Sequence, residues 1–256
     1  MLVTHENTTT GTRTIPEETA VSFTYGGATF AVMMATPEDI EDFAIGFSLT
    51  EGIVDNAAEI TSIDVVQHDR GIEARMTLGG SRSEQLESRR RRLAGPAGCG
   101  LCGIESLEAA VRPARKVHAN LRVTPEAVFS ALASLRERQR LNRETHAVHA
   151  AGFWSAQENR LVAVREDVGR HNALDKLAGA LARAKIAAGE GFIVLSSRLS
   201  IELVQKTAAI GCPMLVAVSA PTNYALRAAE DAGMTLVAVA RDDSFEVFAH
   251  PGRIGT

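Results

Sequence analysis

The chain has little of what marks a secreted, membrane-bound or nucleic-acid-binding protein. Its 256 residues include only three cysteines, too few for the disulfide framework of a secreted scaffold. No apolar run approaches the roughly 20 residues that cross a bilayer. The start, Met1 to Thr14, is polar and threonine-rich without an apolar core, so no export signal is read there and the stretch is expected to be disordered. Cationic excess is missing too. Lys and Arg number 27 against 31 acids, a formal charge of −4, and a pI near 6.0 gives no footprint for nucleic acid beyond one local run, Arg89 to Arg92. That run reads as a solvated face or, more sharply, as a dock for an acidic partner or phosphates. The thiols are accordingly expected in a reducing cytoplasm, where a C-x-x-C is reactive or metal-binding.

What is present is organised around Gly95-Pro96-Ala97-Gly98-Cys99-Gly100-Leu101-Cys102-Gly103. Backbone so rich in glycine and proline does not settle into a regular element, so its two thiols are presented rather than packed. Ile104, Leu107 and Val111 follow at helical spacing, which puts the second cysteine at a helix entrance, where the dipole and unpaired N–H groups favour a thiolate. A thioredoxin-like couple would need a strand leading into the motif, and an arginine run and a glycine loop stand there instead. A zinc site would need two more ligands, and His146 with His149 makes only a distant set outside the usual spacing; no metal is expected. Cys212, inside Ile210-Gly211-Cys212-Pro213-Met214, reads as a small core hydrophobe.

Taken in order, Val21–Tyr25 and Thr29–Met33 flank Gly26-Gly27 and read as a two-residue hairpin. Thr36-Pro37-Glu38-Asp39 reads as a capped helix start, followed by Ile40, Phe43, Ala44 and Phe47 at i, i+3, i+4, i+7 and closed by Gly52. A second strand pair covers 60–67 and 72–78. Past Pro113, helix and strand alternate: a helix opened by Thr124-Pro125-Glu126, a strand at 161–164, a helix stripe of Leu174, Leu177, Ala178 and Leu181, and a buried strand at 192–195. Helix 200–210, strand 214–218, helix 222–232, strand 235–240 and an edge strand at 246–248 complete the series. The expected fold is α/β: a disordered 1–14, a small α+β domain over 15–115 ending in the cysteine loop, and a three-layer α/β domain over 116–256.

Ligands of such sheets sit at the carboxyl ends of the strands. Polar residues gather there in four clusters: Arg165 to Asn172, Ser196-Ser197-Arg198, Ser219 to Thr222, and Arg241 to Ser244. Each alone is adequately explained as a helix cap. Four at equivalent positions, with Arg170, Arg198 and Arg241 among them, point to a phosphorylated, guanine-like or pterin-like ligand. His146 and His149 read as hydrogen-bonded polar residues near this rim.

The stretches Met34-Ala35-Thr36-Pro37, Gly46 to Ile53, Cys99-Gly100-Leu101-Cys102-Gly103, Glu166 to Lys176, Ser196-Ser197-Arg198 and Val218 to Thr222 together resemble the FdhD family of sulfur carrier proteins required for formate dehydrogenase activity. The resemblance implies a sulfurtransferase that accepts sulfur as a cysteine persulfide from a cysteine desulfurase and passes it to the bis-molybdopterin guanine dinucleotide form of the molybdenum cofactor. It implies a cytidine-deaminase-like C-terminal half and a homodimer. No zinc deaminase is expected, since no H-x-E precedes the cysteines. The resemblance places the persulfide on Cys99 with Cys102 as partner. The cofactor is expected against Asp167, Arg170, His171, Asn172, Ser196, Arg198, Ser219, Thr222, Val239, Ala240, Arg241, Asp242, Asp243, Ser244 and His149. Asp167 is expected to accept from the guanine ring. The loop Thr145 to His149 departs from the family pattern. A cofactor-binding chaperone, or a redox or zinc-binding accessory module, is the alternative reading.

Overall fold

The computed structural model describes residues 2–3, 8–9, 12–80, 82–83, 86 and 113–255. Cys99 and Cys102 lie outside them, as do Arg89 to Arg92. A short antiparallel pair, β1 (Leu2–Val3) with β2 (Thr8–Thr9), precedes two mixed sheets.

The first sheet holds β3 (Thr19–Tyr25), β4 (Ala28–Ala35), β5 (Ile60–His68) and β6 (Gly71–Leu78) in the order β4-β3-β6-β5. The expected hairpin joins β3 to β4, and Gly26 and Gly27 both take positive φ, 57° and 78°, as a type I′ turn demands. β3 and β6 run parallel, a pairing that local pattern does not announce. Helix α1 (Ile40–Thr50) covers one face. Phe43 and Phe47, one turn apart, close on Phe23 of β3 with ring centroids 4.8 and 4.4 Å away. The helix starts later than its sequence suggests. Asp39 is its N-cap, in a left-handed conformation and without a side-chain bond, because Thr36 is occupied elsewhere.

The second sheet runs β12-β11-β10-β9-β7-β8. Helices α2 (Pro125–Arg138) and α3 (Arg140–Thr145) lead into β7 (His149–Ser155) and β8 (Arg160–Asp167). Then come α4 (Arg170–Arg183), β9 (Gly191–Leu195), α5 (Ile201–Ala209), β10 (Met214–Ala217), α6 (Asn223–Ala232), β11 (Thr235–Ala238) and β12 (Glu246–Ala249). β9, β10 and β11 are parallel, while β7 and β12 run antiparallel to their neighbours. Successive residues of β7 point to opposite faces: Phe153 joins the core under α4, α5 and α6, and Trp154 the core under α2. The result is three layers, each face apolar and covered.

The two units meet through α1 and α4 at backbone distance. A Cβ on Gly46 would lie 1.7 Å from the Asp175 carbonyl oxygen, and one on Gly179 would lie 1.8 Å from that of Asp42. Charge surrounds the crossing. Asp42 takes Arg165 at 2.6 Å and Arg183 at 2.9 Å. Asp167 and Lys176, both completely buried, pair at 2.7 Å. Lys206 bonds Glu51 at 2.7 Å and Asp175 at 3.0 Å. Both lysines stand over α1 rings, Lys176 over Phe43 and Lys206 over Phe47, each 5.6 Å from the centroid, so the aromatic faces add cation–π attraction.

Gly179→Ala should therefore force α1 and α4 apart and cost more than about 3 kcal/mol, at or above the top of the usual overpacking range. Gly252→Ala, whose Cβ would meet nothing within 4 Å, should stay within about 0.5 kcal/mol. Urea unfolding of the two variants measures the contrast; equal midpoints would contradict it.

Candidate functional site

The carboxyl edge of the second sheet gathers the ends of β9, β10 and β11, the β8–α4 turn and, through antiparallel pairing with β8 and β9, the start of β7 at His149. Most of the polar side chains there are already spent on the fold. Ser196 Oγ accepts from Ala150 N–H at 2.8 Å and extends the β7–β9 ladder. Thr222 Oγ1 accepts from Ala225 N–H and caps α6. Arg241 donates to the carbonyls of Val218 and Ala240, and its N–H reaches the Ser244 carbonyl at 2.7 Å. Asp242 pairs with Arg136, and Asp243 accepts from Ser244 Oγ. The segment 239–244 is pinned to β10 by Val239 N–H to Ser219 O and Ala240 N–H to Ala217 O. Val239 sits at φ 52°, a costly conformation for a β-branched residue.

Two arginines are not spent. Arg170 opens α4, and its Nε is enclosed without a hydrogen-bond partner. Arg198 is exposed, and its side chain makes no hydrogen bond or ion pair among the described residues, while its carbonyl accepts from Ser197 Oγ. The helix start they flank has Gly169 as N-cap, no side-chain cap and no acid in its first turn. Unpartnered N–H groups, the helix dipole and guanidinium groups favour an oxyanion. His149 adds no competing charge: burial, then Arg170 and Arg198, push its pKa down.

The remaining residues expected at this rim lie elsewhere. Asp167 is fully buried. One of its oxygens accepts from Gly169 N–H and Asn172 Nδ2, and the other from Thr36 N–H while pairing with Lys176. With four partners on two oxygens it has no lone pair left for a guanine ring. Thr36, read from the sequence as a helix cap, instead closes this knot, with Oγ1 accepting from Val168 N–H and its carbonyl from Lys176. Asn172 also donates to the Met34 carbonyl, so it too belongs to the seam between the units. His171 faces a cavity of about 950 Å³ between the units, whose walls include Glu51, Asp175, Glu202 and Lys206. Its Nε2 lies 3.3 Å from Ser200 Oγ and 3.8 Å from Glu202. Burial, Arg170 and Lys206 lower its pKa to about 4. Lys206 is held charged: burial opposes the ammonium, but Asp175 and Glu51 outweigh it and the pKa is raised. Sequence reasoning missed Asp175, Lys176 and Lys206, although an Asp-Lys pair inside the apolar stripe Leu174, Leu177, Leu181 was a visible signal of buried ion pairing.

Cys212, the one free cysteine among the described residues, is buried with Sγ toward the Met214 carbonyl, and burial pushes its thiol up to about 12. It is an inert packing group. Among the described residues no helix is long and apolar enough to cross a membrane, and no group of three or more His, Cys, Asp or Glu is placed to hold a metal.

Fold and rim together define a two-unit α/β protein with an oxyanion-ready edge on its second sheet. Residues 16–255 match the model of the FdhD/NarQ family, and the chain belongs to that family. It is 52% identical over 252 residues to the sulfur carrier protein FdhD of Agrobacterium fabrum, covering 96% of this chain and 90% of that protein. The sulfur carrier protein FdhD of Brucella abortus biovar 1 is 51% identical over 243 residues, with coverage of 94% and 90%. That of Xanthomonas euvesicatoria pv. vesicatoria is 49% identical over 240 residues, with coverage of 94% and 85%. The fold is shared with a crystal structure from Desulfotalea psychrophila assigned as a formate dehydrogenase accessory protein, at a TM-score of 0.72 and 24% identity, covering 95% of this chain and 91% of that one.

Two measurements probe the electrostatics. Lys176→Met leaves Asp167 buried and unpaired, which should cost about 3–5 kcal/mol in chemical unfolding; adding Asp167→Asn should recover part of it. For His171, a folded pKa below the ordinary 6.5 means the unfolded chain binds the proton first as pH falls. The stability contributed at neutral pH is therefore lost between about pH 6.5 and about pH 4. His171→Gln should flatten the pH dependence of the unfolding free energy, read by urea unfolding, in that window, by on the order of 1–2 kcal/mol after discounting for partial exposure. An unchanged slope would contradict it.

Proposed function

We propose that the protein is a sulfur carrier in formate dehydrogenase maturation. It takes sulfur from a cysteine desulfurase as a persulfide on Cys99 and delivers it to the bis-molybdopterin guanine dinucleotide cofactor, bound as substrate on the carboxyl edge of the second sheet. Membership of the FdhD/NarQ family supports the sulfur role. The observation that carries the ligand reading is the pair of unengaged arginines, Arg170 and Arg198, at the uncapped start of α4. They would hold phosphates, while hydroxyls and backbone groups of 196–198, 219–222 and 239–244 line the same edge.

The transfer balances with two cysteines. The Cys99 thiolate attacks the terminal sulfur of the donor's persulfide, forming Cys99–S–SH and releasing the donor as thiolate. Attack by the Cys102 thiolate on the Cys99 sulfur then expels hydrosulfide and leaves a Cys99–Cys102 disulfide, so the pair supplies the two electrons that turn sulfane sulfur into sulfide. A cellular thiol reductant must restore the dithiol. The expected setting is the cytoplasm, and the expected assembly a homodimer.

Intact-mass measurement after incubation with a cysteine desulfurase and cysteine should show one added sulfur on the wild type and on Cys102→Ala, and none on Cys99→Ala. Stoichiometric zinc on the cysteine pair would overturn the sulfur reading. Calorimetry should show binding of GDP in preference to ADP, weakened about tenfold to a hundredfold by Arg198→Ala, the loss expected for one charged hydrogen bond. Equal binding of both nucleotides, or none, would remove the guanine site.

A further inference from the structure

Arg170 and Arg198 stand on different elements, so an anion held by both requires the start of α4 and the β9–α5 loop to keep one relative position. The loop is tied to β7 by Ser196 N–H to the Ala150 carbonyl, and to the β10–α6 loop by Leu199 N–H to the Ala220 carbonyl and Thr222 N–H to the Leu199 carbonyl. Toward α4 there is one hydrogen bond among the described residues: His171 Nε2 lies 3.3 Å from Ser200 Oγ. It joins the residue after Arg170 to the residue two beyond Arg198. Both guanidinium groups, after burial, lower the pKa of His149, so the two charges act at one place on the rim.

The chemistry of the neighbours fixes the direction of that bond. Glu202, in the first turn of α5, is ionised: burial opposes its charge, but the Ser200 hydroxyl, its own N–H, His171 and Arg170 outweigh burial and its pKa is lowered. A carboxylate only accepts, so Ser200 Oγ–H donates to Glu202 and the Ser200 oxygen is left to accept from His171 Nε2–H. His171 is thereby held as the neutral Nε2–H tautomer. With its pKa lowered to about 4 by burial, Arg170 and Lys206, it adds no third positive charge beside the arginines. Glu202 also engages the start of α5 and Thr222 caps α6, which leaves the uncapped start of α4 as the open anion position.

We infer that His171 is a positioning residue of the rim: through Ser200 it holds the β9–α5 loop against the start of α4, so that Arg170 and Arg198 address the same phosphate. The role rests on the reading of the rim as an anion site. His171 itself lines the cavity between the units, and it acts through Arg198 rather than by contact with the ligand. Holding the two guanidinium groups in place beforehand removes an ordering cost that binding would otherwise bear.

His171→Leu, His171→Gln and Ser200→Ala, each in the full-length protein, test the role by two readouts. Hydrogen exchange needs no ligand. His171→Leu and Ser200→Ala should each speed exchange of the amides of 197–200 by about tenfold, the scale of one hydrogen bond, with residues 174–181 of α4 unchanged. His171→Gln, whose side-chain N–H can replace Nε2–H, should restore most of the protection. In calorimetry with GDP, His171→Leu should weaken binding about threefold to tenfold and His171→Gln should recover it. Adding His171→Leu to Arg198→Ala should cause no further loss, whereas a direct ligand contact would give an additive one. Unchanged exchange of the loop in His171→Leu, equal losses in the Leu and Gln variants, or an additive loss in the double variant overturns the inference. Absence of GDP binding in the wild type overturns the ligand reading alone, since exchange of the loop still decides whether His171 positions it.

Discussion

The arrangement depends on one contact, the crossing of α1 over α4 at which two glycines allow helix backbones to touch. α1 is buried over most of its surface, between the first sheet and the second unit, with Glu41 exposed, and a helix so buried is ordinarily apolar. This one carries Asp42, and it is met by Lys176 and Lys206. The charges do not add much stability by themselves, because removing them from water costs about what their attraction returns. What they supply is uniqueness. Sliding α1 by one turn would take Asp42 from Arg165 and Arg183 and Thr50 from Asp175 and drive a Cβ-bearing residue into backbone, so a single relative position of the two units satisfies these groups. The oxyanion rim and the cavity faced by His171 both lie beside that fixed seam.

Local elements were legible because their causes are local. The Gly26-Gly27 hairpin, the stripe of α1, the β5–β6 pair, Thr124 capping α2 and the β-α alternation from 191 to 238 all follow from turn chemistry and period. β7 escaped notice because Ala150-Ala151-Gly152 has little strand preference of its own. It is a strand since β8 and β9 pair with it on both sides. Thr36 and Asp167 were misread for the same reason in reverse. A threonine before proline and a carboxylate after a strand look like a cap and a ligand contact, whereas 131 residues of separation bring them to 3.0 Å of each other. Distance in sequence, not ambiguity of residue type, set the limit.

The rim's charge is arranged to be independent of pH. His149 and His171 both approach Arg170, and both have lowered pKa values through burial and that guanidinium. Neutral histidines leave Arg170 and Arg198 as the positive groups, so an anion site built on them keeps its charge across the physiological range, since guanidinium does not titrate there.

The stretch 166–176 shows how closely structure and site are interleaved. Glu166 accepts from Leu141 and Asn142 N–H and caps α3. Asp167, Asn172, Asp175 and Lys176 hold the seam. Arg170 opens α4 at the rim, and His171 faces the cavity. Loss of activity on substituting a residue of this stretch is therefore no evidence of ligand contact unless stability is measured beside it: an Asp167 variant loosens the units whatever binds at the rim, while an Arg170 variant removes an unpaired guanidinium that the fold does not use.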